Sequence, residues 1–216
     1  MTQQAIRAHV VQGSPVLVLG CPGGRVRVVQ PGAMAEQSNQ FAHGLGSLAT
    51  PSADLGFGGA ALATKQMPND TIRIWFGTMY GPTPHPAQYV TGGELQPGEL
   101  ATGEVHTMTW TSSGLVPGAT KKLSPIGNRG GYAVAGLAVA DLLPEPPGQQ
   151  VDELIVCTLA GDVIVLNADT LVELWRAHVP GAVGAYNSIL VADADGDDTQ
   201  ELYVCGSLGI WRFQQP

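Results

Sequence analysis

The sequence predicts an all-β protein, a β-propeller of four to five four-stranded blades. Three observations favour this fold class. Short apolar stretches recur with turns between them, Gly (29 residues) and Pro (16 residues) are abundant, and almost no stretch has the 3.6-residue apolar period of a helix. Because Gly and Pro favour turns and disfavour helices, this composition is typical of a chain with many strands.

The clearest repeat lies in the last third of the chain. Residues 136–166 and 188–213 share one order of features: an apolar strand with Val-Ala-Asp, a polar loop, Glu-Leu-x-Val-Cys, a short turn and a second apolar strand. Cys157 and Cys205 occupy the same place in the two copies. Repeats of this size that are built from strands are typical of propeller blades, which stack because none can bury both faces alone.

Weaker copies extend the repeat toward the N-terminus. Residues 58–77 contain a strand, a loop and an alternating second strand, and residues 14–29 contain two adjoining strands around a Gly-Gly turn. The chain is therefore predicted to be a single domain over residues 1–216, with approximate blades at 11–50, 51–95, 96–130, 131–180 and 181–216. The segment 96–130 is left open, because it either forms a degenerate fifth blade or belongs to its neighbour.

The last copy lacks a fourth strand, and the N-terminus is predicted to supply it. Residues 6–11 share Arg-Ala-His-Val with residues 175–180, the fourth strand of the clearest copy. Residues 1–11 would then complete the blade at 181–216, close the ring and remove an exposed sheet edge. The alternative is an open half-propeller that dimerises into eight blades.

Charge and cysteine usage limit the partners and the compartment. The net charge of −8 argues against nucleic-acid backbones and anionic membranes, and is compatible with divalent cations and with basic or neutral ligands. Cys21, Cys157 and Cys205 match no disulfide framework and no zinc spacing, and the apolar neighbours of the last two predict buried free thiols. No apolar stretch near the N-terminus is long enough for a signal peptide or a membrane span. Either the protein stays inside the cell or a leader is missing.

The unit of strand, acidic loop and strand resembles the FG-GAP or VCBS repeat of integrin-type propellers. Glu201-Leu202 stands where that family usually has Asp-Leu, and residues 56–62 resemble the Phe-Gly opening of the same repeat. The resemblance implies a propeller fold and an extracellular or periplasmic location. The residues that match the calcium loop of the family are Asp193, Asp195, Gly196 and Asp197.

Residues 161–179 also resemble a quinoprotein-type blade. Asp169-Thr170 and Leu174-Trp175 match that pattern, whereas Leu171 stands where the family has Gly. Such repeats occur in adhesion proteins, lectins, assembly factors and enzymes. Both resemblances therefore bear on fold far more than on function.

The acidic loop is predicted to bind one structural calcium ion. Calcium takes six to eight hard oxygen ligands, and carboxylates that alternate along a tight loop can surround one centre. The alternative is a solvated acidic turn, because Asp and Gly favour turns for backbone reasons alone. The predicted ligands are the side chains of Asp193, Asp195, Asp197 and Glu201 with the carbonyl of Thr199.

The sequence favours a non-enzymatic binding module that presents surface loops to a glycan or a protein. No nucleophile elbow, P-loop or dinucleotide fingerprint is present. Alternatives are a polysaccharide-active or quinoprotein-like enzyme, with Glu94, Glu99 and Glu104 as its acids, and a structural subunit of a larger assembly. Nucleic-acid binding and membrane insertion are not expected, and homo-oligomerisation is left open. The candidate ligand-binding side chains are Trp110, Tyr80 and Tyr89.

Overall fold

The chain is all-β, with four antiparallel sheets of three or four strands. None of the described segments contains a helix long and apolar enough to span a membrane. The computed structural model describes residues 5–21, 25–30, 61–77, 103–111, 113–123, 134–143, 151–158, 160–180, 189–197, 199–206 and 208–214.

Each sheet is a meander in which neighbouring strands follow one another along the chain. Sheet 1 contains β1 (Ala5–Val11), β2 (Ser14–Cys21) and β3 (Arg25–Val29). Sheet 2 contains β4 (Ala61–Gln66), β5 (Ile72–Gly77), β6 (Glu104–Thr111) and β7 (Gly114–Lys122). Sheet 3 contains β8 (Val134–Ala140), β9 (Glu153–Thr158), β10 (Asp162–Asn167) and β11 (Glu173–His178). Sheet 4 contains β12 (Ile189–Ala192), β13 (Glu201–Gly206) and β14 (Gly209–Phe213).

The four sheets stack in chain order with their first strands together. β1 contacts β4, β4 contacts β8, and β8 contacts β12, while the later strands of each sheet lie progressively farther from this line of contacts. Propeller blades have this arrangement around their axis, and the architecture is therefore propeller-like. Among the described residues the sheets form an open array and no closed ring, since the packing contacts run from sheet 1 through sheets 2 and 3 to sheet 4 and do not return from sheet 4 to sheet 1.

The middle strands of the two central sheets are largely buried on both faces, and β9 illustrates what this means for the sequence. All six of its residues are buried. Leu154 and Val156 pack toward sheet 2, whereas Ile155 and Cys157 pack toward sheet 4. Because successive strand residues point to opposite faces, a strand covered on both sides reads as a continuous apolar run.

Polar contacts reinforce the junction between sheets 2 and 3. Lys65 Nζ lies 2.5 Å from Asp152 Oδ2, and the buried Trp75 indole donates to the carbonyl of Ala168 at 2.8 Å. The two sheets approach so closely at Gly77 that a methyl group there would overlap the side chain of Val134. Glycine at this position therefore permits the sheets to pack at their observed distance.

The predicted closure of the ring by the N-terminal strand is wrong for the described residues. β1 pairs along its whole length with β2, from Ala5 with Gly20 to Val11 with Ser14. The turn between them has two residues, Gln12 and Gly13, both with positive φ (50° and 74°). Such a turn has the twist of a tight hairpin, so pairing within the hairpin requires far less loop closure than pairing with sheet 4.

Sheet 2 extends across the segment that the sequence left open. β5 and β6 pair from Ile72 with Trp110 to Gly77 with Val105, and β7 completes the sheet. One sheet thus joins parts of the predicted blades 51–95 and 96–130. The full division of residues 1–216 into blades stays a prediction.

The two described thiols differ in environment. Cys157 is buried between sheets 3 and 4, and burial raises its pKa to about 12. Cys205, predicted to be buried, is exposed. The repeat places both residues on the same face of their sheets. Sheet 4 covers this face of sheet 3, whereas no sheet among the described residues covers it on sheet 4.

Candidate metal centre

The loop between β12 and β13 is organised by carboxylates that accept backbone hydrogen bonds. Asp193 Oδ1 accepts from the N–H groups of Gly196 at 2.7 Å and Asp197 at 3.1 Å. Asp197 Oδ1 accepts from the N–H of Thr199 at 2.9 Å. Gly196 has a φ of 78°, which glycine adopts without strain. Local bonds therefore curl the loop and hold these acids on one side.

Glu201, the first residue of β13, is the fourth carboxylate of the acidic cluster. Its side chain is fully buried, and its Oε2 accepts from the N–H of Ala194 at 2.9 Å. One oxygen from each of Asp193, Asp195, Asp197 and Glu201 lies within 4.8 Å of the other three. Two oxygens bound to one calcium ion lie at most about 5 Å apart, so these four carboxylates fit around one divalent cation.

Arg212 on β14 contacts the same cluster, and the sequence interpretation did not include it. Its Nη2 donates to Glu201 Oε1 at 2.7 Å and forms a second, short ion pair with Asp195. The antiparallel pairing of Tyr203 with Arg212 brings this guanidinium beside the acids. Four carboxylates and one guanidinium therefore form the site, and a metal ion would have to share or replace the Arg212 contacts.

The electrostatics of the site follow from this ion pair. The hydrogen bond from Arg212 holds the pKa of Asp195 below its ordinary value, and the two acids in turn raise the pKa of Arg212. Tyr203 donates its hydroxyl to Glu201 Oε2 at 3.3 Å, and desolvation raises the pKa of the phenol. Asp195 is thus an ionised carboxylate that interacts with a fixed cation.

Comparison with the equivalent loop of sheet 3 shows that Glu201 also has a structural role. Glu153, at the same place in the repeat, is also buried, and its Oε2 accepts from the N–H groups of Leu142 at 2.7 Å and Leu143 at 3.1 Å. Leu142 corresponds to Ala194, so the same bond closes both loops. The sheet 3 loop lacks the Asp-x-Asp-x-Asp alternation of the sheet 4 loop, so this loop-closing bond of the glutamate does not depend on a metal site.

The predicted ligand-binding residue Trp110 is not part of this site. Trp110, at the far end of β6, is half-buried and packs against the core between sheets 1 and 2. Tyr80 and Tyr89 lie outside the described residues, as do Glu94 and Glu99. Their assignment to a ligand site stays a prediction.

Glu104, a candidate acid of the enzyme alternative, lies in a buried pair. His106 Nε2 is 3.2 Å from Glu104 Oε2, and His106 Nδ1 is 2.9 Å from the hydroxyl of Thr120. Burial lowers the pKa of His106, and the carboxylate of Glu104 partly opposes that shift. The Glu-x-His spacing on one strand places both side chains on one face, and this period-two signal was available in the sequence.

No protein-family model matches the chain, and no curated protein matches it. Among solved structures, BBS1N in complex with ARL6DN, soaked with mercury, is 15% identical over 98% of this chain and 65% of its own, with a TM-score of 0.43. The quinohemoprotein alcohol dehydrogenase ADHIIG from Pseudomonas putida HK5 is 12% identical over 97% of this chain and 35% of its own, with a TM-score of 0.45. The chain spans less than two thirds of either protein, and similarity this low does not indicate what the chain binds.

Proposed function

We propose that this chain is a non-enzymatic module that binds another protein through the outer faces of its two end sheets, and that one calcium ion stabilises sheet 4. The observation that carries the proposal is the contrast between equivalent positions in sheets 3 and 4. Val163 in β10 has 0% exposure because sheet 4 covers it, whereas its counterpart Ile210 in β14 is 71% exposed. Sheet 4 therefore has the apolar face of a sheet junction, but no sheet among the described residues adjoins it.

The outer face of sheet 4 is defined by its pairing register. Residues paired across β12, β13 and β14 lie on one side of the sheet, opposite the side that packs on sheet 3. Most of its members are apolar or aromatic, although its surface is solvent-accessible. The outer face of sheet 4 consists of Leu190, Ala192, Glu201, Tyr203, Cys205, Ile210 and Arg212.

The outer face of sheet 1 has the same character. The side of this sheet that packs on sheet 2 carries Val16 and Val18, which are fully buried. The opposite side has Ile6 and Val10, both more than half exposed. The outer face of sheet 1 consists of Ile6, Ala8, Val10, Pro15, Leu17, Leu19, Arg27 and Val29.

Exposed apolar patches of this kind favour a protein partner over a glycan. Protein interfaces bury apolar centres within a polar rim, and contiguous apolar surface on a soluble domain marks an interaction site. A photo-crosslinking amino acid at Val10 or Leu190 tests the proposal in the native host. We expect discrete protein cross-links from both positions and none from Val116, an exposed valine on β7 away from both faces. Absence of protein cross-links from both faces would refute the binding proposal.

Calcium is proposed for the acidic cluster because its four carboxylates supply hard oxygen ligands around one centre. A ligand that binds only the folded state stabilises it by about 2.7 kcal/mol at a hundredfold excess over its dissociation constant. Chelation should therefore lower the Tm, calcium should restore it, and magnesium should restore it poorly. Asp195→Ala should remove the response, whereas Asp141→Ala in the equivalent loop of sheet 3 should keep it. Identical Tm values of the wild type with calcium and with chelator would contradict the metal site.

An extracellular or periplasmic location is proposed with the calcium site, as the repeat resemblance implies. Fractionation of the native host, with detection of the protein in each fraction, tests that location independently of binding.

A further inference from the structure

Each junction inside the chain joins two different kinds of sheet face. The face of a sheet that points along the chain order packs against the backward face of the next sheet, as Ile155 of sheet 3 packs with Leu202 of sheet 4. The outer face of sheet 4 is a forward face, and the outer face of sheet 1 is a backward face. One chain therefore carries both halves of a junction that it does not form among its described residues.

We propose that the protein partner is a second copy of this chain, and that two copies close a ring of eight sheets. The inference rests on the proposed binding function and names its partner. The outer face of sheet 4 in one copy packs on the outer face of sheet 1 in the other, and a two-fold axis repeats this junction on the opposite side. A head-to-tail contact of this kind closes after two copies because the two chains contribute four sheets each, and eight blades lie within the range of known propellers.

The internal junctions indicate which residues meet. First strands contact one another at every junction of the chain, as β1 contacts β4 through His9 and Thr64, whose side chains are 2.8 Å apart. The new junction would therefore bring β12 of one copy against β1 of the other. Leu190 is 60% exposed on β12, and Val10 is 61% exposed on β1. Both lie within three residues of the turn that ends their strand, so they occupy similar positions along the strand direction.

The available area is sufficient for a stable dimer. A three-stranded sheet is about 14 Å wide and a six-residue strand about 20 Å long, so each outer face has a flat area of about 280 Å². Two junctions cover four such faces, a flat area of about 1,120 Å², to which the uneven surface of the side chains adds. A specific interface needs roughly 1,000 Å² of buried surface, and the symmetric pair of junctions meets that requirement.

Sedimentation and light scattering of the purified full chain test the proposal directly. The expected particle has twice the 22.4 kDa of one chain. Val10→Lys and Leu190→Glu should each give a monomer, because each places a charge in both junctions. The double variant should restore the dimer, since every junction then holds one Lys opposite one Glu. Val172→Lys, one residue before β11, and Val116→Glu on β7 are matched controls on exposed valines outside the two faces, and both should remain dimeric.

Three results would overturn the inference. A monomeric wild-type chain, a dimer that survives both single substitutions, or an open filament would each exclude the closed two-chain ring. The proposed function is judged separately: a monomer that still cross-links a different protein at Val10 and Leu190 would keep the binding function and remove the second copy as its partner. A monomer without protein cross-links would contradict both.

Discussion

Arg212 Nη2 lies 2.7 Å from Oε1 of the fully buried Glu201, and the same guanidinium also pairs with Asp195. The acidic loop therefore already has a cation of its own. This contact affects how much a bound calcium ion would stabilise the protein. A calcium ion bound at this cluster would compete with the internal ion pair, so its net effect on the free energy of unfolding would be the difference between the stabilisation by calcium and that by Arg212.

The variant Arg212→Gln distinguishes the contribution of the guanidinium to stability from that of calcium. In chelator we expect the variant to have a lower Tm than the wild type, because four clustered carboxylates lose their compensating charge. With calcium the Tm should rise by more than in the wild type, because the metal no longer competes with the guanidinium. Thermal unfolding with and without calcium measures both effects, and Lys122→Gln, at an exposed site on β7 away from both outer faces, is the control. A calcium increment smaller than that of the wild type would show that Arg212 supports the metal instead of competing with it.

Glu153→Ala and Glu201→Ala distinguish loop closure from metal binding. Each removes a buried carboxylate that accepts backbone N–H groups, so each should lower the free energy of unfolding by about 1–3 kcal/mol in chelator. Only Glu201→Ala should also lose the calcium increment. Chemical denaturation with and without calcium provides the comparison. Equal calcium increments in the two variants would remove Glu201 from the ligand set.

At Leu171 the glycine variant should be more stable than the alanine variant, which is the reverse of the usual order. It has a φ of 58° and stands where the resembling blade pattern has Gly. Both Leu171→Ala and Leu171→Gly lose the buried leucine side chain, but glycine also relieves the left-handed backbone, so the glycine variant should be the more stable by about 1 kcal/mol. At Val172, an exposed position with ordinary φ, alanine should be the more stable. Equal stability of the two Leu171 variants would contradict a strain at this turn.

His106 should make the protein less stable in mild acid. Burial lowers its pKa in the folded state, so protons bind more readily to the unfolded chain, whose histidines titrate near pH 6.5. Stability is complete above that pH and decreases by up to about 1.4 kcal/mol per pH unit below it, until the folded-state pKa is reached. The groups that face His106 are Glu104, which opposes the shift, the Thr120 hydroxyl, and Lys122, whose Nζ is 4.0 Å from Glu104.

Denaturation of His106→Gln between pH 5 and 7 measures this effect. The variant should have a flatter pH profile than the wild type. His9→Gln is the comparison, because burial also lowers the pKa of the half-buried His9, and we expect a smaller change in slope. An unchanged slope in His106→Gln would assign the acid sensitivity to other groups.

Local patterns determined the strands and the acidic loop. The period-two runs and the repeated Glu-Leu-x-Val-Cys place β9 and β13 where they occur, and the run of residues 209–213 is β14 in full. Each of these features depends on neighbours along the chain, namely the alternation of faces in a strand and the turn preference of Asp and Gly. For that reason the sequence alone was sufficient for them.

Tertiary structure decided which strands and side chains meet. The tight turn at Gln12-Gly13 pairs β1 with β2 and not with sheet 4. Arg212 reaches the acidic loop only because β13 and β14 pair in one particular register. Cys157 and Cys205 have equivalent sequence environments, yet one is buried and the other exposed, because coverage of a face depends on whether another sheet adjoins it. Contacts between residues distant in the chain follow from packing and register, which a local sequence pattern does not specify.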